Sequence, residues 1–368
     1  MNSAGQSTHD NYRKSTLGLD RSRLGQLILL AGALLWASCA GLQAEVFDKD
    51  YSPKINGAQL HFRVRGQDPA HPYLLILHGG PGFSAHMFYP WGKSIEGQLN
   101  VVYLDQRGCG QSERLKFKNP MKPEAAEVQD YTMENLLGDI EGVREFLKIK
   151  DWYVLGHSWG GMLGINYVAA HPAVVKGFIF VDGLLSQPRC QEAILDFSEK
   201  QIARDEQSAD PTLKARAARL KPYIPYARGL PAGTERMFSC MQFAMGQFND
   251  IYYADGKNAA LYNAKVREAL QAINVPLTAI TPANEPAGAL VQTANYGTRD
   301  ETPKLAKIKC PTLVINGRQD GVIPPALAQA VQKGIAGSEI LLLDHCGHFP
   351  FAEQPAAFTQ AVLKFAAK

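Results

Sequence analysis

The chain has 368 residues, of which 46% are apolar and 20% charged, with a formal net charge of +3. That length holds one large α/β domain with an insertion or two ordinary domains, and the composition is that of a folded globular protein. Lysines and arginines are scattered among acids instead of forming a stripe, which argues against nucleic acid as a partner.

Residues 1–44 read as a targeting leader. A polar stretch carrying Arg13, Lys14, Arg21 and Arg23 precedes an apolar run from Leu27 to Ala37, and small residues follow at Ser38, Cys39, Ala40 and Ala44. Basic, then apolar, then small is the order of a secretory signal. The run is shorter than the ~20 residues of a spanning helix, so no permanent transmembrane helix is expected. The expectation is export to the periplasm or medium with cleavage after Ala40 or Ala44. Ala37-Ser38-Cys39 also resembles the end of a bacterial lipoprotein box, which makes a membrane-anchored lipoprotein with a lipid anchor at Cys39 the alternative.

Beyond the leader, Gln59 to Arg65 alternates as a strand. Tyr73 to Leu77 is a buried strand ending in the loop His78-Gly79-Gly80-Pro81-Gly82. Ala85 to Ile95 reads as helical, and Val101 to Leu104 is a second buried strand ending in Asp105-Gln106-Arg107-Gly108-Cys109-Gly110. Asp105 and Arg107 are read as structural, pairing to brace that loop. Tyr131 to Leu147 has helical spacing, with Leu136, Leu137, Ile140, Val143 and Leu147 on one face. The strand Trp152 to Leu155 then meets Gly156-His157-Ser158-Trp159-Gly160 and a helix from Met162 to Ala170, and Gly177 to Val181 is the next strand. This alternation predicts a mostly parallel, doubly wound α/β sheet with ligands at the carboxyl ends of its strands.

From 184 to 307 the rhythm changes. Ala193 to Arg204, Leu213 to Leu220, Thr234 to Phe248 and Ala259 to Ile273 are expected helices, with Pro222 to Pro231 as a loop. An all-helical insertion between two strands is a cap. The α/β pattern resumes with Thr312 to Ile315, which ends in Gly317-Arg318-Gln319-Asp320-Gly321. A helix from Pro324 to Gly334, a strand from Glu339 to Leu343, the loop His345-Cys346-Gly347-His348-Phe349 and a helix from Pro355 to Ala366 complete the chain. The expected organisation is therefore a leader (1–44), a core in two parts (45–183 and 308–368) and a helical cap (184–307). Past the leader stand five cysteines; Cys190 and Cys240 both fall in the cap and are candidate disulfide partners. There is no C-x-x-C pattern, and no metal or cofactor is expected.

The chemistry lies at the strand ends. A serine hydroxyl needs a base to accept its proton, and the base needs an acid to fix its tautomer. Ser158 sits on a strand-turn-helix of the G-x-S-x-G type, and the chain order Ser158, Asp320, His348 is that of α/β-hydrolases. His348 is preferred to His345 because it lies deeper in its loop, and Asp320 to Asp344 because Asp344 is too near His348 in the chain to orient it from a separate strand end. The backbone N–H groups of Trp159 and Gly80 are the candidate oxyanion donors.

The five motifs, His78-Gly79-Gly80-Pro81-Gly82, Asp105 to Ser112, Gly156 to Gly161, Gly317 to Asp320 and Gly347-His348, together resemble the proline iminopeptidase (prolyl aminopeptidase) branch of the α/β-hydrolase superfamily. The resemblance implies the α/β-hydrolase fold and an aminopeptidase that releases N-terminal proline or similar residues from small peptides. In that family acidic cap residues hold the free amine, so Glu192, Glu199, Glu206 and Glu235 are the candidate substrate-binding residues. The chain departs from the family in having no tryptophan beyond Trp159. A carboxylesterase or lipase with the same triad is the alternative for ester substrates, and a non-catalytic fold that binds a small ligand is the remote one.

Overall fold

Successive side chains of a strand point to opposite faces of its sheet, and here both faces are filled with apolar groups. The computed structural model describes residues 47–119, 123–240, 247–280 and 282–368. The leader, its cleavage point and Cys39 lie outside the described residues. The strands are β1 (Phe47–Tyr51), β2 (Lys54–Ile55), β3 (Ala58–Gln59), β4 (Phe62–Gly66), β5 (Tyr73–Leu77), β6 (Asn100–Leu104), β7 (Trp152–His157), β8 (Val175–Val181), β9 (Thr312–Gly317) and β10 (Glu339–Leu343). Eight of them form one sheet in the order β1-β4-β6-β5-β7-β8-β9-β10, while β2 and β3 pair as a hairpin. Pairings from β6 through to β10 are parallel. β4 runs antiparallel to both β1 and β6, which makes that end of the sheet mixed.

Leu75, Val102, Val154, Phe178 and Val314 belong to one core. It also holds Leu136, Ile140 and Val143 of the helix Met133–Phe146, with residues of the helices Trp159–Ala170 and Pro325–Gly334. Their chain neighbours Leu74, Val101, Tyr153, Ile179 and Leu313 belong to a second core with the helices Tyr89–Glu96 and Pro355–Ala366. A sheet covered on both faces is the α/β-hydrolase arrangement expected from the sequence.

Between β8 and β9 the described residues form helices and no strand. The longer ones are Gln187–Gln207, Pro211–Leu220, Asn258–Ala272 and Glu285–Ala294. The insertion leaves and re-enters the core at one clasp, where Gln187 N–H donates to Arg299 O (2.8 Å) and Glu301 N–H donates to Leu185 O (2.9 Å). One expectation fails here, because Pro222 to Pro231 is not simply a loop. It holds the helix Tyr223–Gly229. Pro222 is its N-cap and Pro225 stands in the first turn, where a backbone N–H has no helical acceptor and a proline costs little. The expected helix from Thr234 is described only to Cys240, because 241–246 lie outside the described residues. Among the described residues no helix is long and apolar enough to cross a membrane.

One glycine sets how closely the central helix approaches the sheet. A Cβ on Gly160 would lie 2.0 Å from the carbonyl oxygen of Leu77. Gly160→Ala therefore forces two backbones apart and should destabilise the fold by about 3 kcal/mol or more. Gly229→Ala, with nothing within 4 Å of the added Cβ, should be neutral or stabilising by up to ~1 kcal/mol. Urea unfolding of both variants checks the contrast; equal midpoints would remove the argument.

Candidate active site

β7 ends at His157 and the following helix begins at Trp159, so Ser158 alone makes the turn, at φ 54° and ψ −122°. Such a conformation costs a non-glycine residue ~1–3 kcal/mol and persists only where neighbours impose it. They do so here. Ser158 N–H donates to Val181 O (3.2 Å), and Ser158 O accepts from the N–H groups of Gly161 (2.9 Å) and Leu184 (2.8 Å). The 78–82 loop can press against this turn because residue 79 lacks a side chain; a Cβ there would lie 2.9 Å from that of Ser158. Trp159 is the first helical residue, so its N–H has no intrahelical acceptor. Its indole Nε1 donates to Gln106 Oε1 (2.9 Å), and Gln106 Nε2 donates to His78 O (2.9 Å). Three strand-end loops are thereby tied together around one serine. Gly80, at φ 119°, lines the same cavity as Ser158.

His348 and Asp320 come together from the ends of β10 and β9. His348 Nδ1 is 2.7 Å from Asp320 Oδ2, and Asp320 Oδ1 accepts from the N–H groups of Val322 (2.8 Å) and Ile323 (2.9 Å). The histidine loop is anchored on several sides. His157 Nε2 is 2.8 Å from His348 O, Glu353 Oε1 accepts from Gly347 N–H (2.9 Å), and His348 N–H donates to Tyr252 O (2.6 Å). Burial, then the charge of His348, holds His157 well below the usual histidine range. It is a neutral strut that donates to the His348 carbonyl. No hydrogen bond joins the Ser158 hydroxyl to His348, a kind of contact that often forms fully only in the complex with substrate. His345 and Asp344 are not part of this arrangement; Asp344 pairs with Arg318 (2.7 Å) near the surface.

Sequence reasoning missed Asp182, although a carboxylate just past the strand Gly177 to Val181 was a signal of the kind used for Asp105 and Asp320. It is fully buried, and its Oδ1 accepts from Gly317 N–H (2.9 Å). One ligand atom from each of Asp182, Asp320 and His348 lies within 4.8 Å of the others. Burial, then the neighbouring Asp320 charge, pushes the Asp182 carboxyl well above the usual carboxylate range. A proton on Asp182 removes the repulsion between two buried carboxylates.

Asp105 and Arg107 do not pair with each other, contrary to the sequence reading. Arg107 grips Asp139 through Nε (2.9 Å) and Nη2 (2.6 Å). Asp105 accepts from Ser84 Oγ (2.6 Å), Ala85 N–H (3.0 Å) and Gln111 N–H (2.9 Å), and its Oδ2 is 2.9 Å from His61 Nδ1. Each thus braces its loop, but against other elements.

The cavity over Ser158 has a volume of about 50 Å³, and its walls include Gln187, Cys190, Ile194, Cys240 and Val322. No charged side chain lines it among the described residues, and the stretches 120–122, 241–246 and 281 contain no Asp or Glu. None of the four glutamates expected to meet an amine reaches it. Glu192 pairs with Arg228 (2.9 Å) and Arg236 (2.7 Å), Glu199 with Arg228 (2.9 Å) and Glu206 with Lys221 (2.6 Å), while Glu235 accepts from Tyr226 Oη (3.3 Å). Cationic side chains of the cap itself engage three of these carboxylates. Cys190 and Cys240 are free thiols rather than a disulfide; their Sγ atoms donate to Val322 O (3.3 Å) and Gln191 O (3.7 Å).

Residues 72–213 match the family model described as alpha/beta hydrolase fold. The proline iminopeptidase of Lactobacillus helveticus is 28% identical over 315 residues, covering 81% of this chain and 90% of the relative. Among solved structures, the proline iminopeptidase-related protein from Thermus thermophilus superposes with a TM-score of 0.66 at 21% identity, covering 87% of this chain and 98% of that one. The enol-lactonase from Burkholderia xenovorans superposes at 0.57 and 21% identity, covering 86% and 100%. At such identities the superpositions speak for the fold alone.

The buried Asp182 generates a pH prediction. An unfolded aspartate ionises near pH 3.9, whereas the folded Asp182 keeps its proton to well above that value. The folded state then holds the extra proton, so this group makes stability fall as pH rises from about 4. Asp182→Asn keeps an acceptor for Gly317 N–H and a neutral donor toward Asp320. Its stability relative to the parent should therefore improve as pH rises from 4.5 to 7.5. Urea unfolding at both pH values measures this, and an unchanged difference would mean that Asp182 ionises in the fold.

Proposed function

Because the chain belongs to the α/β-hydrolase superfamily and is similar to proline iminopeptidases along most of its length, we propose that it is a serine hydrolase with Ser158, His348 and Asp320 as its catalytic triad. The observation that carries this reading is the pairing of two features. A serine is held at φ 54° on a strand-to-helix turn, and His348 is bound through Nδ1 to a buried Asp320. That bond leaves Nε2 as the acceptor for the Ser158 proton. The serine oxygen then attacks the substrate carbonyl, and the N–H groups of Trp159 and Gly80 stabilise the developing oxyanion. His348 passes its proton to the leaving atom, and water repeats the sequence to free the acid.

Two substrate readings follow. The likeness to proline iminopeptidases supports an aminopeptidase acting on N-terminal proline or similar residues of small peptides. The cavity supports a second reading, a carboxylesterase with the same triad. A free α-amine enters as a cation, and desolvating it without an anionic partner is costly. The cavity offers neutral walls. We also propose export through the basic-apolar-small leader, for which a mature N-terminus between residues 39 and 45 is the expected finding and intact Met1 on protein from the host cytoplasm the opposite one.

Ser158→Ala and His348→Ala should each lower kcat roughly 10⁴-fold or more, with little added by combining them, because the residues act as a unit. Fluorophosphonate should label Ser158 stoichiometrically, and absence of labelling would sink the hydrolase reading. Substrate class is read from free and N-acetylated proline arylamides beside a small neutral ester. Preference for the free amine supports the aminopeptidase. Equal cleavage of both arylamides, with efficient ester turnover, supports the esterase.

A further inference from the structure

A second and larger cavity, of about 330 Å³, is walled in part by residues that follow the 78–82 loop and His348 in the chain. Its walls include Phe83, Met87, Tyr252, Tyr262, Val266 and Phe349. Phe83 continues the 78–82 loop, Phe349 follows His348, and the carbonyl of Tyr252 receives the His348 N–H (2.6 Å). The large cavity therefore stands on the histidine side of the site. The small cavity is walled by Cys190 and Ile194 of the cap and by Val322 just past Asp320.

In acyl transfer the histidine that activates the serine also protonates the leaving atom. The leaving group must then extend toward the histidine, and the acyl substituent away from it. Resting on the serine hydrolase reading, we propose that the 330 Å³ cavity is the leaving-group site and takes an uncharged aromatic group, while the small cavity limits the acyl half to a short chain or ring.

Two observations give the chemistry. The walls are aromatic, with Phe349 stacked near Tyr262 (ring centroids 5.0 Å apart) and near Tyr252 (6.0 Å), so they offer ring faces and edges to another ring. No charged side chain lines the cavity among the described residues. On the acyl side, a volume of about 50 Å³ admits on the order of four water-sized groups. The implied substrates are esters or amides of a short neutral acid with an aromatic alcohol or amine.

The test separates binding from intrinsic reactivity by comparing 2-naphthylmethyl acetate with ethyl acetate, whose alcohols have similar basicity. kcat/KM for the naphthylmethyl ester should exceed that for the ethyl ester by at least about tenfold, the least expected from burying an aromatic ring. 2-Naphthylmethanol should inhibit competitively. Val266→Trp fills the cavity and should collapse the ratio toward one, whereas Ile194→Trp should shorten the tolerated acyl chain and leave the ratio as it was. If Val266→Trp does not fold, Met87→Trp makes the same test. A parent ratio near one in enzyme whose Ser158 is labelled by fluorophosphonate overturns the proposal and leaves the hydrolase reading intact. A ratio that survives the filled cavity overturns it too. Failure to label Ser158 removes the underlying reading instead.

Discussion

The site depends on the close approach of two backbones. The helix after Ser158 packs against the end of β5 so tightly that a Cβ at residue 160 would meet the Leu77 carbonyl at 2.0 Å, and one at residue 79 would meet the Ser158 side chain at 2.9 Å. That proximity sets Ser158 beside the 78–82 loop, a nearness that the proposed oxyanion role of the Gly80 and Trp159 amides requires. Two glycines are thus a condition of the geometry, and the strained φ of Ser158 is a consequence of the same packing.

Loops this close need bracing, and buried charges supply it. Asp105 is wholly buried, which alone would raise its pKa, yet hydrogen bonds from His61 and His86 hold it well below the usual carboxylate range. In return, His61 overcomes its own burial through Asp105 and Asp50 and is lifted to about 9. A charged His61 at neutral pH therefore ties β4 to the end of β6, next to the loop whose Gln106 bridges Trp159 and His78. The ion pair of Arg107 with Asp139 does the same for the helix Met133–Phe146. Such pairs gain specificity more than stability, because desolvation offsets most of the Coulomb attraction.

Elements whose physics is local were legible in the sequence. β5 and β10 coincide with their apolar runs, and the loops that follow strands carry Ser158, Asp320 and His348, the polar groups that the proposed chemistry would use. Elements that depend on a partner were not. β1 reads as charged, with Asp48, Lys49 and Asp50 exposed, and becomes a strand only through its register with β4. The Asn56-Gly57 turn between β2 and β3, both residues at positive φ, was a hairpin signal left unused. Arg107 finds Asp139, 32 residues away, so no spacing rule could choose it over Asp105. Likewise, the family resemblance suggested acidic cap residues, but it could not show that Arg228, Arg236 and Lys221 would engage Glu192, Glu199 and Glu206.

The cap is also bonded to the loops that carry Asp320 and His348. Residues 251–252 touch the loops that carry Asp320 and His348: Gly321 N–H donates to Ile251 O (2.9 Å), and His348 N–H donates to Tyr252 O (2.6 Å). A Cβ on Gly347 would meet Tyr252 O at 2.4 Å, so the fit there is as tight as at the elbow. Displacing this cap segment breaks two backbone hydrogen bonds that flank the His348–Asp320 pair, each contributing about 1 kcal/mol net and costing more if left unpaired in a buried place. Motion of the cap at this segment is therefore coupled to the alignment of the His348–Asp320 pair.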